Sequence, residues 1–148
     1  MAAAAALLAL AAATPGDGER AVVVRDEAGD EVVRAELPAS GRFTLAYRHS
    51  YYDAPAHEHF EAEGDGFRLR SLASPRAAVL DYYALPGRST RTGRWVRLTP
   101  REQRRYERLP LIATAEGRRT LQVGGRRFPL YGSAARHLTI TVEPGRGL

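Results

Sequence analysis

The sequence predicts a mostly-β domain: a small antiparallel β-sandwich or open barrel with one short helix. Three observations carry this. Short segments rich in β-branched, aliphatic and aromatic residues recur along the chain, Gly, Pro, Asp and Ser separate them at short intervals, and the clearest of them alternate apolar and polar side chains. Many short strands so spaced form layered sheets, because each sheet must bury one apolar face.

The first strand is Ala21 to Arg25 (AVVVR), and the turn Ala28-Gly29-Asp30 leads to a second from Glu31 to Leu37, forming a hairpin. After Pro38-Ala39-Ser40-Gly41 comes Arg42 to His49 (RFTLAYRH), with Phe43, Leu45 and Tyr47 on one face and Arg42, Thr44 and Arg48 on the other. Ala56 to Glu63 and Phe67 to Ser71 follow around Gly64-Asp65-Gly66. The stretch Pro75 to Tyr83 suits a helical turn or an irregular strand, and Arg94 to Leu98 a strand. Thr99-Pro100-Arg101-Glu102 has the form of a capping box, which predicts a short helix from Pro100 to about Tyr106. Leu109–Thr114, Thr120–Val123, Phe128–Tyr131 and His137–Val142 read as the last strands, with Gly124-Gly125 supplying positive φ angles for a tight hairpin. The organisation is an export-like segment at 1–13, a linker at 14–20, one β domain at 21–143 and a tail at 144–148.

A length of 148 residues suits one domain that needs neither disulfide nor metal to fold. Absent cysteine excludes Cys–Zn sites, thiol nucleophiles and redox pairs. The 22 basic residues, all arginine, exceed the 17 acidic ones, for a net charge of +5. Arginine presents a planar fork suited to phosphates and carboxylates. The arginines are scattered, and only Arg101, Arg104, Arg105 and Arg108 form a dense cluster. That cluster is either an ordinary solvated face or a contact for an anionic membrane surface. No pattern of arginine interleaved with aromatics marks a nucleic-acid partner.

Ala2 to Ala13 is an unbroken run of Ala and Leu. It falls short of the ~20 apolar residues of a membrane span. It does fit the apolar core of a secretory signal, and Ala11 and Ala13 provide an A-x-A cleavage pattern, so a mature chain would begin near Thr14. No basic residue precedes the run. The expected location is periplasmic or secreted, with a retained tether as the alternative.

Three of the four histidines lie in HSYYDAPAHEHF, between His49 and His59. With Asp53 they would supply enough ligands for Zn²⁺ or Cu²⁺. Strand parity opposes this. If Phe43 and Phe60 point inward, so do His49 and Glu58, whereas His57 and His59 face solvent on the other side. Coordination needs convergent ligands, so no metal or other cofactor is expected, with His57 and His59 as an outside candidate pair. His49 and Glu58 lie beside the loop Ser50 to Pro55, where a half-buried carboxylate requires hydrogen-bond donors from His49, Ser50 or loop N–H groups. They either pin that loop or form a polar patch facing a ligand or partner, together with Ser50, Tyr51 and Tyr52. Nucleophilic catalysis by Ser50 with His49 is disfavoured, because neighbours on a strand point apart. Tyr51-Tyr52 and Tyr82-Tyr83 read as aromatic pairs, either packed over the sheet end or marking an interface. No Walker loop, HExxH, GxSxG or paired-carboxylate motif occurs, so no catalytic residue is assigned.

The run F-T-L-x-Y-x-H-S from Phe43, with Glu58 before an aromatic residue, resembles the bacterial domain-of-unknown-function 1850 family. His49, Ser50 and Glu58 are the positions that match its motif. The match extends from Ala21 to about Leu72 and is weak from Ala73 to Val142. Tyr51, Tyr52 and Asp53 depart from the family's loop, and Arg76 to Tyr83 replaces a Gly-rich stretch. The resemblance implies an extracytoplasmic accessory module associated with a TAXI-type TRAP solute transporter, without enzymatic activity. The alternative function is a periplasmic protein binding a small ligand or metal through the His49/Glu58 region.

Overall fold

The computed structural model describes residues 19–147. The export-like segment 1–13 and most of the 14–20 linker lie outside the described residues. Two antiparallel sheets form the domain, and they do not close into a barrel.

The smaller sheet is built from both ends of the chain. β1 (Arg20–Arg25) pairs on one side with β2 (Glu31–Glu36) and on the other with the last strand, β12 (Arg136–Pro144), which in turn pairs with β9 (Leu109–Ala113). Its inward residues, among them Val22, Val24, Leu138, Ile140 and Val142, are buried in the shared core. Val23 faces the other way, in register with Arg34 and Thr141. On that outer face Glu143 accepts hydrogen bonds from Arg25 and Arg34, and Glu31 pairs with Arg34 at 2.7 Å.

The larger sheet runs β11-β10-β3-β4-β5-β7-β6. Its centre is the hairpin of β3 (Arg42–His49) and β4 (Ala54–Glu63), with Phe43 opposite Phe60 and His49 opposite Ala54. β5 (Gly66–Ser74) follows across the turn at Gly64, whose φ of 60° suits glycine. Phe43, Phe60 and Phe67 form the aromatic heart of the core, with ring centroids 5.3–5.4 Å apart, and Tyr106 stacks on Phe67 at 5.8 Å. A bulge interrupts the β4–β5 ladder. His59 pairs with Ser71 but Phe60 with Leu69, so Arg70 is the extra residue. Leu69 and Leu72 remain buried in the core, while Arg70 and Ser71 both come to the outer face.

β10 (Thr120–Val123) and β11 (Arg126–Pro129) form a hairpin around Gly124 and Gly125, both at positive φ. The two-residue turn makes pairing start at once, Val123 with Arg126, so this strand begins two residues before the aromatic run that predicted it. At the other edge, β6 (Gly87–Thr92) pairs with β7 (Trp95–Pro100). β6 is exposed along its whole length and wholly polar, so no apolar period announces it.

The one helix, α1 (Ala77–Tyr82), lies in the stretch whose sequence suited either helix or strand. It buries Val79 and Leu80. The helix expected from Pro100 to Tyr106 does not form. Pro100 closes β7 opposite Gly87, and Arg105-Tyr106 makes a short strand, β8, on the part of β5 that β7 does not reach. Gln103, Arg104 and Arg105 are tied to β5 and its turn by Arg68 Nη1 to the Gln103 carbonyl at 2.8 Å, Leu69 N–H to the Arg104 carbonyl at 3.1 Å, and Arg105 Nη2 to Asp65 Oδ1 at 2.6 Å. Satisfying an open sheet edge outweighs a local capping preference. The Arg101–Arg108 cluster is therefore extended rather than helical, with Arg101, Arg104 and Arg108 exposed. Among the described residues no helix is long and apolar enough to cross a membrane.

Candidate binding site

The distinctive chemistry lies where α1 crosses the end of the β3–β4 hairpin. Alternation along β3 and β4 turns Phe43, Leu45 and His49, and likewise Ala56, Glu58 and Phe60, toward the inner layer. At this end the layer is thin. Ala54, Ala56 and Val79 make a small separate core, against which Tyr47, Tyr52 and Tyr83 pack. Ser74, fully buried, fixes the helix entry: its hydroxyl donates to the Pro55 carbonyl at 2.8 Å and accepts from Arg76 N–H at 3.1 Å.

Glu58 finds its hydrogen-bond donor at the C-cap of the helix. Tyr83 Oη donates to Glu58 Oε1 at 2.8 Å, and the Tyr83 and Tyr47 hydroxyls are hydrogen-bonded to each other. Sequence parity put His49, Ser50 or the loop N–H groups in that role. The register instead carries His49 beyond Glu58, opposite Ala54, and no hydrogen bond joins the two among the described residues. Burial pushes the Glu58 carboxyl up, opposed by the Tyr83 hydrogen bond and the Arg119 guanidinium. Burial first, and then the Glu58 charge, raise the Tyr83 hydroxyl as well, so Tyr83 keeps its proton and serves as donor. Arg119 lies 4.7 Å over the Tyr47 ring.

His49 is buried at 8% exposure, within an aromatic surround. Its ring centroid is 4.9 Å from that of Tyr82, edge-on, and 5.3 Å from that of Tyr52. The Tyr52 N–H donates to Nδ1 at 3.4 Å. Arg76 lies 5.2 Å over Tyr52. Arg48 closes the turn onto Asp53 (Nε to Oδ1, 2.5 Å), which holds Asp53 at φ 47°. The two tyrosine pairs split by direction. Tyr52 and Tyr83 are half-buried, whereas Tyr51 and Tyr82 are 80% and 70% exposed. Ser50 is exposed and makes no hydrogen bond with His49 among the described residues, so the pair has no nucleophile–base geometry.

His57 and His59 lie on the opposite, outer face, 5.9 Å apart between ring centroids. They are half-buried rather than freely solvated: His57 packs on Trp95 at 4.8 Å, and His59 Nδ1 is 2.9 Å from Thr44 Oγ1. Side chains of neighbouring strands shield them. Burial, with smaller contributions from Arg97 and His57, lowers the His59 imidazole to about 4. Among the described residues no three His, Asp or Glu side chains come together in a way that could hold a metal ion.

Removing the Tyr83 hydroxyl strands a half-buried carboxylate. Tyr83→Phe is expected to cost about 1–3 kcal/mol at pH 7. The cost should shrink by at least half in a Glu58→Gln background, where no charge is left without its donor; a chemical-denaturation double-mutant cycle measures the difference.

The cluster thus brings together two exposed aromatic rings, a buried imidazole and a carboxylate hydrogen-bonded to Tyr83, which is bonded in turn to Tyr47. No family model, curated protein or solved structure matches the chain.

Proposed function

We propose that this protein is a non-enzymatic extracytoplasmic binding module that serves as an accessory to a TAXI-type TRAP solute transporter, and that it meets its partner through the aromatic end. The observation that carries this reading is the pair of exposed rings, Tyr82 edge-on to His49 and Tyr51 edge-on to Tyr52, on a braced support. Exposed tyrosines on a rigid base are the usual anchors of a protein interface, because they add contact area with little loss of conformational freedom. The export-like start of the sequence and the F-T-L-x-Y-x-H-S motif support the location and the transporter association. A second reading, a small ligand seated at His49 and Glu58, is favoured by the half-buried Glu58 carboxyl and its raised protonation.

Co-purification from the native host with TRAP membrane subunits tests the first reading. The Tyr51→Ala/Tyr82→Ala double variant is expected to lose at least tenfold of the association while its circular dichroism stays unchanged. Full retention by the variant, or wild-type protein that never accompanies transporter subunits, overturns it. A thermal-shift series with organic acids and divalent metals tests the second reading, and a flat series refutes it.

A further inference from the structure

The outer face of the larger sheet carries a different chemistry, with His57 and His59 turned to it from β4. Strand register aligns Arg127, Gln122, Thr44, His59 and Ser71 in one row across β11, β10, β3, β4 and β5. Within the row Thr44 Oγ1 lies 2.9 Å from His59 Nδ1, and at its β5 end Ser71 Oγ accepts from Arg97 Nη1, a β7 residue outside the row, at 2.7 Å. Beside it lies a groove of about 530 Å³ that Arg42, Arg70 and Arg97 line together with His59 and Ser71. A second hollow of about 410 Å³ shares Arg42 and Thr44 and adds Arg126 and Arg127.

The charges in the groove are unbalanced. Its only carboxylate, Glu61, is shared at 3.5–3.6 Å between Arg70 and Arg42. Arg97 has a neutral hydroxyl as its hydrogen-bond partner and forms no ion pair among the described residues. His59 stays uncharged at neutral pH and so supplies a ring nitrogen without adding repulsion. The β-bulge brings Arg70 and Ser71 side by side on this face; a regular ladder would have turned one of them into the core.

We infer that this groove binds a compact oxyanion of at least two negative charges, a di- or tricarboxylate or a phosphoryl group, with Arg97 and Arg70 meeting the charge and Thr44, His59 and Ser71 forming a neutral hydrogen-bonding floor. Guanidinium forks match both oxyanion types in bidentate geometry. The groove has the volume of a small-molecule site. It opens on the face of β4 opposite Glu58, and neither Tyr51 nor Tyr82 lines it, so it is a site apart from the aromatic end.

NMR titration of the chain at low ionic strength with citrate, inorganic phosphate and acetate tests this. Citrate or phosphate is expected to saturate with shifts centred on Thr44, His59 and Ser71, and acetate to bind at least tenfold more weakly. Arg97→Ala should weaken the better ligand at least tenfold. Arg108→Ala, an exposed arginine outside the groove, should change it less than twofold. Tighter citrate assigns a carboxylate site, and tighter phosphate a phosphoryl site. The inference is overturned if neither citrate nor phosphate saturates, if Arg97→Ala and Arg108→Ala behave alike, or if phosphatidylglycerol vesicles bind in an Arg97-dependent way while the free ions do not. The Tyr51→Ala/Tyr82→Ala variant should titrate like wild type, which separates this outcome from failure of the transporter reading.

Discussion

Phe67→Ala is expected to lower the stability of the domain by about 3–5 kcal/mol, the usual range for deleting a buried aromatic ring. Phe67 is fully buried and meets Phe43 and Phe60 at 5.3 and 5.4 Å, with Tyr106 stacked on its other side. Four strands, β3, β4, β5 and β8, thus meet at one ring, and none can move in to fill the space without giving up its ladder pairing. Urea denaturation should show a lower midpoint with an unchanged slope, since the folded state keeps its extent. Ile112→Ala, at 51% exposure, should cost under about 1 kcal/mol. A loss at Phe67 no greater than that at Ile112 would refute the packing account.

Acid should destabilise the protein in two steps. His59 is held near 4 by burial, well below the 6.5 of a free imidazole. Between those values the unfolded chain binds the proton and the folded one resists it, so stability falls as pH drops from about 6.5 to 4. Glu143 is lowered to about 2, first by the hydrogen bond from Arg25, and its contribution is lost as pH falls from about 4.5 toward 2. Glu58 acts with the opposite sign. Its folded carboxyl binds a proton more readily than the unfolded one, so acidification relieves a cost that is present at neutral pH. After allowance for solvent screening, the His59 step should amount to about 1–2 kcal/mol and the Glu143 step to about 1 kcal/mol. Denaturation midpoints measured from pH 7 to 3 should fall in wild type. His57, whose imidazole burial also lowers, contributes to the first step with the same sign, so His59→Gln should shrink that step and leave the His57 part, and Glu58→Gln should raise stability at pH 7. A His59→Gln profile that overlays wild type above pH 4 would remove His59 burial as a cause.

Much of the fold is legible in the chain because one-sided burial leaves a trace with a period of two. Arg42 to His49 is the clearest case: its apolar side chains sit on the face the alternation assigns them. β6 left no such trace, since an edge strand exposed on both faces can be wholly polar. Thr99-Pro100-Arg101-Glu102 misled because a capping box is a local preference, whereas the unpaired half of β5 is a tertiary demand that no local window contains. The same limit applies at Glu58. Parity shows that its carboxyl turns inward, but its donor, Tyr83, is 25 residues away at the C-cap of a helix whose entry is tied to β4 by the Ser74 hydroxyl on the Pro55 carbonyl. The outer groove leaves no local trace in the sequence for a similar reason: Arg70 and Arg97 join His59 only through a bulge and a strand pairing.

The pairing of β1 with β12 gives the molecule a direction. Gly145 N–H bonds to the Glu19 carbonyl, and Arg20 Nη1 reaches the Gly64 carbonyl at the far end of the β3–β4 hairpin from His49. Both ends of the folded chain therefore emerge at one pole, and Tyr51 and Tyr82 crown the other, roughly 25 Å away along eight residues of extended backbone. A tag or tether joined at either end is therefore expected to leave the aromatic crown uncovered, whereas an insertion between Ser50 and Asp53 would bury it.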